Sequence, residues 1–227
     1  MKISGIQKLT LLDFPGKVAC TVFTPGCNLR CPFCHNATLV FSCTDEIGEE
    51  SVLSFLKKRV GVLDGVCVTG GEPLLQKDIA AFLRKVKALG YLVKLDTNGT
   101  FPDRLQPLLE ERLVDYVAMD IKASPENYDN ATGVATDLDK VRRSVELLKE
   151  SGVEHEFRTT TVKGIHTAAD FEAIAQWLKG EKRFFLQQYR VADDMIGEAF
   201  ESFTKEELES FAAIVAKTVA EVAVRGE

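Results

Sequence analysis

Three cysteines crowd one short stretch, Thr24-Pro25-Gly26-Cys27-Asn28-Leu29-Arg30-Cys31-Pro32-Phe33-Cys34-His35-Asn36. The spacing of Cys27, Cys31 and Cys34 puts three thiolates on one tight loop, where they can share one inorganic centre. A structural zinc site asks for four ligands. A four-iron cluster held by three cysteines leaves one iron without a protein ligand. That iron is a binding position for a small molecule, so the missing fourth thiolate points to a working cluster more than to a staple. Zinc stands as the alternative, and with it a zinc-binding adaptor domain with no catalysis. His35 is a poor fourth ligand because it adjoins Cys34. Cys43 is a more distant one, otherwise a bystander. Cys20 and Cys67 fall inside apolar runs and read as buried, reduced thiols.

A second unusual stretch is Thr69-Gly70-Gly71-Glu72-Pro73. Paired glycines let backbone approach a ligand closely and offer it amide groups. In isolation the run is a turn; beside an open iron it becomes a seat for an amino group. Asp96-Thr97-Asn98-Gly99 is likewise a good turn. Asp120 and Lys122 alternate and suit an ion pair, and Arg158 suits a surface position on a strand.

These stretches follow short apolar segments, which fixes what must position them. Strands are expected over 17–23, 65–69, 92–96, 116–121, 154–162 and 183–188. Helices are expected over 49–60, 78–89, 103–112, 137–151 and 168–179, with a last one opening at Thr204 in a capping box. Six strand–helix units with short connections imply parallel strands. The pattern fits an open doubly wound sheet or a partial barrel, and does not choose between them. In both, ligands sit at the carboxyl ends of the strands, which is where the unusual residues fall.

Nothing divides the 227 residues, so one domain over 1–227 is expected. A net charge of −6 argues against a nucleic-acid or anionic-membrane partner, since both reward a basic surface. The N-terminus lacks the apolar core of a signal peptide and no run of 18 apolar residues occurs, so the expected compartment is the cytoplasm.

The cysteine loop and Gly70-Gly71-Glu72-Pro73 resemble the two leading motifs of the radical S-adenosylmethionine superfamily. The continuation Cys34-His35-Asn36 is similar to the activating enzymes of glycyl-radical proteins. Gly5-Ile6-Gln7-Lys8, Leu12-Asp13-Phe14-Pro15-Gly16-Lys17, Lys94-Leu95-Asp96-Thr97-Asn98-Gly99, Ala118-Met119-Asp120-Ile121-Lys122 and Glu156-Phe157-Arg158-Thr159-Thr160 are similar to one group of these, the activating proteins of anaerobic ribonucleoside-triphosphate reductase. The wider chain, from about residue 3 to 190, resembles the activating proteins of anaerobic ribonucleoside-triphosphate reductase. The fold then expected is an α/β partial (β/α)6 TIM-type barrel of parallel strands. The resemblance implies a 4Fe–4S cluster on Cys27, Cys31 and Cys34, with S-adenosyl-L-methionine on the open iron. It implies that Gly70, Gly71 and Glu72 face the amino group of that cofactor and that Phe33 lies near its adenine. Thr97 and Asn98 would supply polar groups, Asp120 and Lys122 a charged cradle, and Arg158 a partner for the carboxylate. The implied reaction is reductive cleavage of the sulfonium to a 5′-deoxyadenosyl radical, which takes a hydrogen atom from a glycine of a partner. That partner is expected to be anaerobic ribonucleotide reductase, with flavodoxin or a ferredoxin-type protein as electron donor. A pyruvate formate-lyase-type partner and a small-molecule substrate are the alternatives. Two departures, Lys163-Gly164 without the usual proline and Gln187-Gln188-Tyr189-Arg190 without a histidine, leave the late-barrel contacts open.

Overall fold

The computed structural model describes residues 1–41, 46–191 and 194–226; Cys43 lies outside the described residues. Strand β1 (Gly5–Thr10) runs antiparallel to β2 (Ala19–Thr24). Every later strand is parallel to the one before it: β3 (Gly65–Gly70), β4 (Leu92–Thr97), β5 (Tyr116–Asp120), β6 (Glu154–Thr161), β7 (Arg183–Gln188) and β8 (Glu221–Arg225). The order of the eight strands in the sheet is their order in the chain, and β1 and β8 form its two open edges.

The intervening helices are α1 (Ala37–Phe41), α2 (Glu49–Lys57), α3 (Ile79–Ala88), α4 (Pro102–Glu110), α5 (Tyr128–Thr132), α6 (Leu138–Ser151), α7 (Ala168–Trp177) and α8 (Lys205–Val215). Helix α3 buries Ile79, Phe82, Leu83 and Val86, an i, i+3, i+4, i+7 stripe. Helix α6 stops at Gly152, whose φ of 69° is the left-handed conformation that glycine supplies at helix ends. Helix α8 opens with the expected capping box: the Glu207 amide donates to Thr204 Oγ1 and the Thr204 amide to Glu207 Oε2.

Side chains on successive strand residues point to opposite faces. Val66, Val68, Val93, Leu95, Val117 and Phe157 are fully buried in one apolar cluster with the helices. The alternate positions carry Lys94, Asp96, Asp120, Glu156, Arg158 and Thr160. One side of the sheet is therefore a conventional core and the other a polar interior. Cys20 and Cys67 are fully buried, and burial pushes the Cys20 thiol up to about 12.

The parallel sheet with interleaved helices is the expected architecture, extended at both ends. Strand β1 was not expected because its exposed Gln7, Lys8 and Leu9 break the alternation of a half-buried strand. Strand β8 follows a helix rich in alanine and valine and reads as its continuation. Helix α2 ends at Lys57, three residues short of the expected Val60, where the chain turns towards Gly61 (φ 81°). Among the described residues no helix is long and apolar enough to cross a membrane.

Candidate active site

A cavity of about 230 Å³ opens at the carboxyl ends of the parallel strands. Cys27, Cys31, Phe33 and Cys34 line it from the loop after β2, and Gly70 and Gly71 from the end of β3. Asp96 and Thr97 come from β4 and Asn98 from just after it, Asp120 from the end of β5 and Lys122 from just beyond it, and Arg158 and Thr160 from β6. The structure thus gathers into one place every expected site residue except Glu72.

The cysteine loop is fixed by backbone. The Glu72 amide donates to the Gly26 carbonyl at 2.8 Å, and the Arg30 amide to the Thr132 carbonyl of α5 at 2.8 Å. A Cβ on Gly71 would stand 2.1 Å from the Gly26 oxygen, and one on Gly70 would stand 2.3 Å from the Thr24 oxygen. Both glycines are therefore required for β3 to reach the loop, whatever else they contact. Arg30 donates to the carbonyls of Cys27 and Leu29, both at 2.7 Å, and braces the turn from inside. Burial pushes the Cys31 thiol up to about 11 and raises that of Cys27, so free protein holds both as thiols.

Glu72 is fully buried and is not among the residues that line the cavity. Oε1 accepts from the Leu74 amide at 3.0 Å and from Thr97 Oγ1 at 2.8 Å, and Oε2 from the Asn98 amide at 2.7 Å. Burial lifts its carboxyl to about 7 against those donors. Its side chain ties β3 to the end of β4. From there Asn98 donates to Asn28 Oδ1 at 3.0 Å, and Asn28 donates to Thr100 Oγ1 at 2.9 Å. Asn28 and Thr100 were not singled out from the sequence, where loop asparagines and threonines carry no distinguishing signal.

The opposite wall is a chain of charges. Lys122 Nζ meets Asp120 Oδ2 at 2.9 Å, and Arg158 Nε meets Asp120 Oδ1 at 2.5 Å. Arg158 also reaches Asp96 Oδ2 at 3.1 Å, and Asp96 Oδ1 accepts from Lys94. β-sheet register places Asp120 directly beside Arg158. Burial would raise both aspartates, but Arg158 together with Lys122 at Asp120 and with Lys94 at Asp96 outweighs it and holds both carboxyls below their usual range. Burial would lower Lys122, but Asp120 with the neighbouring acidic groups outweighs it and keeps the ammonium charged. The cavity wall itself balances two cations against two carboxylates, and Lys94 pairs with Asp96 from outside the lining. Lys94 was not singled out as a site residue, and Asp96 was read only within its turn. Their signal was alternation with Asp120 and Arg158 on neighbouring strands.

Phe33 is buried edge-on to His166, with ring centroids 6.2 Å apart. His166 accepts the Val162 amide at Nδ1, so its Nε2 carries the proton and donates to the Lys122 carbonyl at 2.8 Å. Burial lowers its pKa and keeps the ring neutral. Gln187 lines the cavity from β7.

Among the described residues, no three His, Cys, Asp or Glu side chains are gathered to hold a single metal ion. A four-iron cluster takes one thiolate per iron and needs no such convergence. The site suits that group in three further ways. Among the described residues it offers three thiols and no fourth, its opposite wall carries the paired charges of Asp96, Asp120, Lys122 and Arg158, and two glycines keep side chains out of the space between.

Residues 21–178 match the family model described as the Radical SAM superfamily. A Methanocaldococcus jannaschii protein named for glycyl-radical enzyme activation is 33% identical over 84% of this chain and 81% of its own length. The pyruvate formate-lyase-activating enzyme of Listeria monocytogenes is 33% identical over 56% of each chain. Among solved structures, Streptococcus suis SuiB bound to S-adenosylmethionine superposes with a TM-score of 0.72 at 14% identity. The match covers 91% of this chain and 52% of that one, a likeness of fold alone.

Proposed function

Since the chain belongs to the radical S-adenosylmethionine superfamily, whose enzymes use a 4Fe–4S cluster and S-adenosyl-L-methionine, we propose that it installs a glycyl radical on a partner enzyme. When bound, the cofactor pair supplies one-electron cleavage chemistry that ends in abstraction of a hydrogen atom. The chain's own residues do the holding. Cys27, Cys31 and Cys34 would bind the cluster. Gly70 and Gly71 would admit the methionine end of S-adenosyl-L-methionine against bare backbone. Thr97, Asn98, Asp120, Lys122 and Arg158 would present it a polar wall, and Phe33 an apolar surface for the adenine. Glu72 acts one step back, by fixing Thr97 and Asn98. No side chain in the cavity is needed as a general base, because hydrogen-atom transfer moves no separate proton.

The observation that carries this reading is the meeting of three cysteines with the polar ends of β3, β4, β5 and β6 in one cavity. The names of the relatives support a glycyl-radical enzyme as partner. We take anaerobic ribonucleoside-triphosphate reductase as that partner, flavodoxin or a ferredoxin-type protein as electron donor, residues 1–227 as one working unit, and the cytoplasm as its compartment.

Anaerobic reconstitution tests the proposal. The protein should take up about four irons per chain, and Cys27→Ala, Cys31→Ala and Cys34→Ala should each abolish that uptake, whereas Cys20→Ala should not. Reduced protein, S-adenosyl-L-methionine and the reductase should give a glycine-centred electron paramagnetic resonance doublet. A doublet on a pyruvate formate-lyase-type protein instead would change the partner and keep the class. Accumulation of 5′-deoxyadenosine with neither protein radicalised would overturn the activating role.

A further inference from the structure

Lys94 stands on β4 with 2% of its surface exposed, and it does not line the cavity. Lysines are almost never buried this far without a partner. The sheet register sets it between Cys67 on β3 and Tyr116 on β5. Its ammonium meets Asp96 Oδ1, and Cys67 Sγ stands 3.9 Å away. The fold by itself gives no reason for a charge here, because replacing a buried ion pair by well-packed apolar side chains is often neutral or stabilising.

Lys94 and Asp96 alternate on one strand, so both side chains point into the polar interior. From Lys94 the charges alternate outward. Asp96 Oδ2 accepts from Arg158 Nη2 at 3.1 Å, Asp120 Oδ1 from Arg158 Nε at 2.5 Å, and Asp120 Oδ2 from Lys122 at 2.9 Å. Asp96, Arg158, Asp120 and Lys122 line the cavity; Lys94 is the member that stands behind the wall. The Nε and Nη2 edge of Arg158 is thereby divided between two carboxylates. Arginine commonly gives such a fork whole to one carboxylate, as a bidentate pair. The two lysines prevent this. Lys94 occupies the second oxygen of Asp96, and Lys122 occupies that of Asp120.

We propose that Lys94 is a positioning residue for S-adenosyl-L-methionine: by occupying the inner oxygen of Asp96 it keeps Arg158 shared between Asp96 and Asp120, at the wall where the methionine carboxylate would bind. The inference rests on the reading of this cavity as the seat of that cofactor. Lys94 itself touches no ligand. Without it, Asp96 is free to take both donors of the Arg158 edge, and the guanidinium turns away from Asp120 towards β4.

Lys94→Met keeps an apolar stem of similar length and removes the ammonium. The reconstituted variant should load iron as fully as the parent, because the thiol loop is untouched. S-adenosyl-L-methionine titrated into the reduced protein, followed by electron paramagnetic resonance of the cluster, should bind about tenfold more weakly. The KM for S-adenosyl-L-methionine in partner-free cleavage should rise to match, with kcat changed less than KM. On an Asp96→Asn background the same substitution should add no further loss, since its effect runs through Asp96. Unchanged binding in fully loaded Lys94→Met overturns this inference alone. So does an equal further loss on the Asp96→Asn background, and so does a failure of Lys94→Met to load iron, which would make Lys94 part of the frame. A parent protein whose reduced cluster does not respond to S-adenosyl-L-methionine overturns the reading of the cavity, and this inference with it.

Discussion

Glu72 holds two loops in register from a position where its own charge is costly. Its two oxygens take three donors, and all three sit on backbone or hydroxyl groups that have no other use for them. Glu72→Gln would turn one acceptor oxygen into a donor aimed at another donor, at a cost of about 1–3 kcal/mol in stability to urea. The same group has a pH signature. Its carboxyl is raised from the usual 4.5 to about 7, so the folded chain holds that proton more tightly than the unfolded one. The associated stability is complete below about pH 4.5 and is lost as pH rises through about 7. Urea titrations of metal-free protein between those limits should show this decline, and the Glu72→Gln protein should lack it. The residue identities at the site were legible because cysteines, glycines and charges stand out against apolar strands. The direction of a side chain was not: nothing in Gly-Gly-Glu-Pro says whether the glutamate points at a ligand or at the next strand.

At the scale of elements, the crossing of β3 over the loop after β2 leaves no room for a side chain. Gly71→Ala places a methyl group 2.1 Å from the Gly26 carbonyl oxygen. The clash is with backbone, so it cannot be relieved by a rotamer change; the loop must move, and the cysteines with it. Reconstituted Gly71→Ala should bind well under half the parent's iron, by colorimetric assay, even though no proposed ligand has been altered. A glycine at position 61, by contrast, meets nothing within 4 Å and serves only its turn. Sequence reading assigned Gly70 and Gly71 to ligand approach. Their approach to Thr24 and Gly26 is a second reason, invisible without knowing that β2 and β3 are neighbours.

For the molecule as a whole, the open sheet sets the weak points. Its last strand is tied down by Arg225, which meets buried Glu156 at 2.7 and 3.0 Å and lies 3.3 Å over the Phe185 ring. The remaining partner of Glu156 is the Tyr116 hydroxyl at 2.7 Å. Arg225→Met should cost about 3 kcal/mol, because it strands a buried carboxylate. Glu156→Gln in the same chain should restore part of that loss in urea denaturation, giving a coupling energy for the pair. The six parallel strands were legible from alternating periods. The two edge strands were not, because an edge strand needs only one apolar face and few residues to hold it. The barrel-like arrangement over a doubly wound sheet rests on pairings between strands, which no local pattern records.

Strand order that repeats chain order has a consequence for how the molecule is made. No late segment has to thread between two earlier ones, so each strand can add to an edge that already exists. A chain emerging from the ribosome delivers residues 5–72 first, and these alone contain the antiparallel hairpin, the thiol loop and the glycines that pin it. Asp120, Lys122 and Arg158 follow some 50 to 90 residues later. The frame that shapes the thiol loop is thus laid down before the charges that face it, and the strand that holds the far edge is the last to arrive.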